Sequence, residues 1–133
     1  MRGMDAIPTP EQIHQRIGAL DDRGRRIVGS LTVLLISEPQ RARDQEWLAE
    51  RFTQLTVVGH GFDEESPSED EVAVVERYVR AHIGEHVGLS LAVFVRIAED
   101  LKDAGGEPPY GLDDAFGRVK GYVGDFDIRP PDA

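Results

Sequence analysis

His82 and His86 stand four positions apart with Glu85 between them, and no other local string in the chain sets nitrogen and oxygen donors at so regular a spacing. On a helix, positions i and i+4 share one face, so both imidazoles reach one metal ion. The glutamate then stands where a general base would act on a metal-bound water. A third nitrogen is available from His60, which lies between Gly59 and Gly61 at the head of an acidic stretch containing Asp63, Glu64 and Glu65. That stretch lacks the D-x-[DN]-x-[DN]-G order of a calcium loop, so it reads as a solvated surface connection.

The string His82-Ile83-Gly84-Glu85-His86 resembles the H-x-x-E-H motif of the inverted zinc metallopeptidases. The resemblance spans these five residues. It implies a small metal-dependent hydrolase that uses His82, Glu85 and His86, with His60 as a further candidate ligand. The competing reading takes Gly84 as a helix end, with His82 near the negative C-terminus and His86 on a connection, both in solvent. The second reading is the one adopted, so no metal, cofactor or catalytic residue is expected. The G-x-S-x-G elbow, the phosphate-binding G-x-x-x-x-G-K loop and the G-x-G-x-x-G dinucleotide turn are all missing from the sequence.

The elements that must hold these residues belong to a chain of 133 residues without cysteine, which excludes disulfides, thiolate metal sites and a thiol nucleophile. Its net charge is −10, and all of that excess falls after Arg51, because the first 51 residues carry eight arginines against eight acids. Such a field repels nucleic-acid backbones. The one basic cluster, Arg23, Arg25 and Arg26, is offset by Asp21 and Asp22. No apolar run approaches membrane-spanning length and the N-terminus lacks a secretory core, so the expected location is cytoplasmic, with no membrane partner.

Periodicity predicts an all-α bundle of five to six helices over residues 9–123, with flexible ends at 1–8 and 124–133. Thr9-Pro10-Glu11-Gln12 reads as a capping box with proline at the first helical position, followed by Ile13, Ile17 and Leu20. A break near residues 21–24 precedes a second helix through Ile27, Leu31, Leu34 and Leu35. Pro39 opens a third, through Trp47, Phe52 and Leu55. Ser68-Glu69-Asp70-Glu71 caps a fourth, running to Ile83. Residues 87–104 read as a separate, mostly buried central helix, although 87–97 also alternate as a strand would. A last helix spans 113–123, held by a corner at Pro108-Pro109-Tyr110-Gly111. The alternative fold is α/β, with a small parallel sheet from residues 31–37 and 55–58.

These features favour a small acidic helical module that binds or regulates a protein partner without catalysis. The negative field suits a basic partner. The apolar stripe Ile27, Leu31, Leu34 and Leu35 is the expected surface for a homodimer.

Overall fold

Local chemistry starts each helix of the computed structural model, which describes residues 8–59, 69–105 and 112–124. In α1, Pro10–Gly18, the Gln12 amide donates to Thr9 Oγ1 at 3.1 Å and the Thr9 amide donates to Gln12 Oε1 at 2.9 Å, closing the capping box. Asp21 caps α2, Asp22–Ser37, by accepting from the Gly24 amide at 2.8 Å. The break between these helices therefore sits at residues 19–21, and Gly24 belongs to the first turn of α2. Arg25 reaches back from that turn to donate to the carbonyls of Ile17 and Gly18, satisfying acceptors that the end of α1 leaves open.

Pro39 opens only a short 3₁₀ helix, Pro39–Arg43. The third α-helix restarts at Asp44, whose carboxylate accepts from the Trp47 amide at 3.0 Å and from Arg41 at 3.1 Å. These bonds hold the Asp44 carboxyl below its usual pKa, the Trp47 amide foremost. From there α3 runs over Gln45–Gly59, α4 over Glu69–Asp103 and α5 over Leu112–Val123. The fold among the described residues is thus an all-α bundle of five α-helices.

Three further sequence expectations need correction. Residues 31–37 lie in α2 and 55–58 in α3, so no sheet forms there. Thr32, Val33, Ile36 and Thr56 among them are buried in the bundle instead, where packing outweighs roughly a few tenths of a kcal/mol of intrinsic propensity per residue. The two helices expected on either side of Gly84 are one helix of 35 residues, about 52 Å long at 1.5 Å per residue. Finally, the stripe expected to pair two copies is occupied inside one copy. Ile27, Leu31 and Leu35 are buried with Trp47, Leu48, Phe52 and Val87, and Leu34 packs at the edge of that cluster. The calls on Ser68 and on Pro108–Gly111 fall outside the described residues.

The helix enclosed on most sides is α2, which packs against α3, α4 and α5. One of its faces joins Val28, Val33 and Ile36 to Ile13, Ile17, Val93, Ile97, Val119 and Val123. Its other face completes the cluster with α3. Where α2 crosses α4, Thr32 and Ser90 are fully buried. The Thr32 hydroxyl donates to the Val28 carbonyl at 2.7 Å, and the Ser90 hydroxyl donates to that same carbonyl from the opposing helix at 3.2 Å. Small hydroxyl side chains let the two backbones come close and still satisfy every donor they bring. This crossing fixes the rotation of α4 one and two turns before Ser90, where His86 and His82 stand.

Candidate metal centre

His82, Glu85 and His86 project from consecutive turns of α4 with one donor atom of each within 4.8 Å of the others. The three are not equally exposed. Glu85 faces solvent, His82 is half-buried and His86 is only 2% exposed. The expectation that a helix end at Gly84 leaves both histidines solvated is therefore overturned. The helix passes through Gly84 because Ile83 and Val87 pack against the α2–α3 cluster on either side of it. That contact outweighs the cost of one helical glycine, about 1 kcal/mol. It also turns His86 toward the N-terminus of α2. His60, the further candidate ligand, lies outside the described residues.

The two nitrogens of His86 have different surroundings. Nε2 stands 3.4 Å from the Tyr78 hydroxyl, at the long end of hydrogen bonding. It also faces Gly24, where a Cβ would come within 2.9 Å of it. A side chain at position 24 would thus collide with the ring, and glycine is what permits the approach. Nδ1 is buried without a well-formed hydrogen bond: it has the His82 carbonyl of its own helix as a weak partner, and the Glu85 carboxylate stands 3.7 Å away. A buried nitrogen without a well-formed hydrogen bond is uncommon, and each instance asks for a reason.

Aromatic rings wall the site. Tyr78 lies against His82 with centroids 4.5 Å apart, His82 is 5.2 Å from His86, and Phe52 of α3 meets the His86 ring edge-on at 5.7 Å. Burial, and after it the neighbouring His82 side chain, pushes the His86 pKa down, while Glu85, Asp21 and the backbone carbonyl of His82 pull it the other way. Burial also raises the Tyr78 phenol, followed by the nearby Asp21 carboxylate, with Arg23 opposing. A neutral imidazole and a protonated phenol result at neutral pH.

Chemically, two imidazole nitrogens and a carboxylate oxygen suit zinc or a neighbouring divalent transition metal better than calcium or magnesium. A tetrahedral ion with bonds of about 2.0–2.2 Å asks its ligands to stand roughly 3.5 Å apart. The three donor atoms lie within 4.8 Å of one another, so closure on an ion would fall to the side chains of the exposed Glu85 and the half-buried His82. Sequence reasoning found the three donors and missed Tyr78, Asp21 and Gly24. Tyr78 was legible in principle, because 78, 82 and 86 form an i, i+4, i+8 stripe on one helix face. Asp21 and Gly24 come from another helix, and only the α2–α4 crossing brings them near.

On the neighbouring face of α4 a groove of about 380 Å³ opens between α3 and α4, lined by Leu48, Ala49, Ile83, Gly84, Val87 and Gly88 among others. Its floor is apolar, and at Gly84 and Gly88 an added Cβ would meet nothing within 4 Å. The chain matches no protein-family model, no curated protein and no solved structure.

Proposed function

We propose that the protein binds a divalent transition-metal ion, zinc foremost, through His82, Glu85 and His86. The observation that carries this reading is the buried Nδ1 of His86, which lacks a well-formed hydrogen bond, on a ring placed within 4.8 Å of two further donors of the right chemistry. A bound ion accounts for a nitrogen that otherwise sits in the interior without a well-formed hydrogen bond. Zinc titrated into metal-free protein, against a chromophoric chelator, is expected to bind at one equivalent. Glu85→Gln and His82→Ala, both at positions open to solvent in part, each weaken binding at least tenfold, about 1.4 kcal/mol. Full affinity in both variants overturns the reading.

The α3–α4 groove favours a second reading, a protein-interaction module of the kind the charge suggests. An apolar floor beside a chain of net charge −10 suits a partner that brings apolar side chains between basic ones. Gly88→Arg would fill the groove while leaving the core untouched. Under this reading the variant loses a partner that wild type retains at low salt. Retention of the same partners by both proteins counts against it.

A further inference from the structure

We propose that a second copy of this chain docks along the outward face of α4, with the two α4 helices antiparallel and crossing where Gly84 of one meets Gly88 of the other. Such a dimer rests on the interaction-module reading, names its partner, and needs no metal ion. Along α4, Ala81, Gly84, Gly88, Leu91, Val95 and Ala98 follow one another in alternating steps of three and four residues. That is the spacing of a coiled-coil seam. The same steps continue through Arg77 and Val74 to Asp70 at one end, and to Lys102 at the other. This seam is left largely open by the bundle: Ala81, Gly84 and Gly88 are exposed, Leu91, Val95 and Ala98 are partly buried, and Val74 is 39% exposed. His86 points the other way, into the interior.

Side-chain chemistry along the seam selects the orientation. Parallel pairing sets each residue against its own counterpart, so Asp70 meets Asp70, Arg77 meets Arg77, Lys102 meets Lys102, and Leu91 crowds Leu91 next to a gap at the glycines. Antiparallel pairing centred between Gly84 and Gly88 removes each of these conflicts. Asp70 then lies against Lys102 of the second copy, Val74 against Ala98 and Ala81 against Leu91, while Arg77 lays its stem on Val95 with Glu99 one turn further on. Large side chains face small ones, which keeps the two helices evenly spaced. Asp70, Arg77 and Lys102 are all exposed, and none of them has an ion pair within the chain among the described residues. Glu85 borders the seam near its centre, and with a side chain 62% exposed its repulsion across the axis is screened by water. Beside the crossing, the groove of about 380 Å³ that Gly84, Gly88 and Leu91 help to line gives the second helix room to settle at the shallow angle of about 20° usual for such seams.

Sedimentation equilibrium of the full chain in about 150 mM sodium chloride tests the pairing, since the net charge of −10 on each copy is then screened within roughly 8 Å while residues in contact are not. A concentration-dependent monomer–dimer equilibrium is expected. Gly88→Glu sets two carboxylates at the crossing, at a position where a Cβ meets nothing in the single copy, and is expected to keep its helicity by circular dichroism and to abolish the dimer. Lys102→Glu is expected to weaken the dimer about tenfold, because each dimer holds two such pairs, and adding Asp70→Lys restores it by re-forming them with signs exchanged. A chain without cysteine also lets direction be read by cross-linking. Under mild oxidation a mixture of Gly84→Cys and Gly88→Cys proteins is expected to form a mixed disulfide dimer faster than either protein links to itself, since those two positions face each other only in the antiparallel pair. A monomer at every concentration overturns the inference, as does a dimer that persists in Gly88→Glu. A double charge variant no tighter than Lys102→Glu, or a Gly84→Cys protein that links fastest to itself, overturns it as well. The interaction-module reading stands without it if a monomeric wild type still loses another partner on Gly88→Arg.

Discussion

A missing side chain has opposite meanings at two places in this protein, and the difference is set by what stands within 4 Å. At Gly24 a Cβ would lie 2.9 Å from His86 Nε2 and 3.2 Å from Asp21 Oδ1, the carboxylate that caps α2. Neither neighbour is the loose end of a long chain: the ring is held by Phe52 and Tyr78, and the carboxylate by the Gly24 amide. At Gly84 and Gly88 the same atom would meet open space in the middle of a helix. Gly88→Ala is therefore expected to raise stability by about 0.5–1 kcal/mol, through the smaller backbone entropy of the unfolded chain. Gly24→Ala is expected to lower it by about 1–3 kcal/mol despite the same gain in propensity, because a ring and a cap must move. Urea denaturation of the two variants measures both. Equal effects of the two substitutions would mean that His86 is free to turn aside, and the close approach would then impose nothing.

Helices are written into this chain as repeating apolar spacing and end signals, and those were legible where the signal is local. Thr9 and Gln12 close their box, and the break expected near residues 21–24 lies just ahead of that place, at 19–21, because Asp21 caps α2 and Gly24 falls inside its first turn. Legibility failed where a local stop is overruled by packing across the bundle. Gly84 looks like an end, yet Ile83 and Val87 are clamped against α2 and α3, and the helix continues to Asp103. Residues 87–97 satisfy two periods at once, and the choice between them is made by α2, whose Val28 carbonyl accepts from Ser90. The opposite error came at Pro39, where a proline that can open an α-helix opens a 3₁₀ turn instead. Asp44 is the stronger N-terminal signal, because its carboxylate takes the Trp47 amide and an arginine together. The candidate site divides the same way: donors on one helix were readable from spacing, as Tyr78 on the same face would have been, while the glycine and carboxylate of α2 depend on which helix crosses where.

Charge acts on the molecule as a whole. The sequence carries ten more acids than basic residues, and the ion pairs that join neighbours three positions apart, such as Arg25 with Asp22, Arg41 with Glu38 and Arg96 with Glu99, are partly exposed and span a single turn. Pairs of that kind contribute little, about 0–1 kcal/mol each. Repulsion among the excess acids is spread over a body in which one helix alone runs about 52 Å, at 1.5 Å per residue. At about 10 mM salt the screening length is roughly 30 Å and most of those charges feel one another; near 150 mM it is about 8 Å and few do. Added salt should thus relieve repulsion more than it weakens the pairs, and the midpoint of thermal unfolding is expected to rise by roughly 2–8 °C between these concentrations, the shift that about 1 kcal/mol produces in a chain of this size. Sodium chloride is the appropriate salt, since sulfate would also stabilise by exclusion from the surface. A flat or falling midpoint would show that paired charges, not the excess, dominate the native state. The same screening separates a specific ion from a diffuse one: at 150 mM chloride, magnesium should add nothing further, whereas zinc held by His82, Glu85 and His86 should still raise the midpoint in wild type and raise it less in Glu85→Gln.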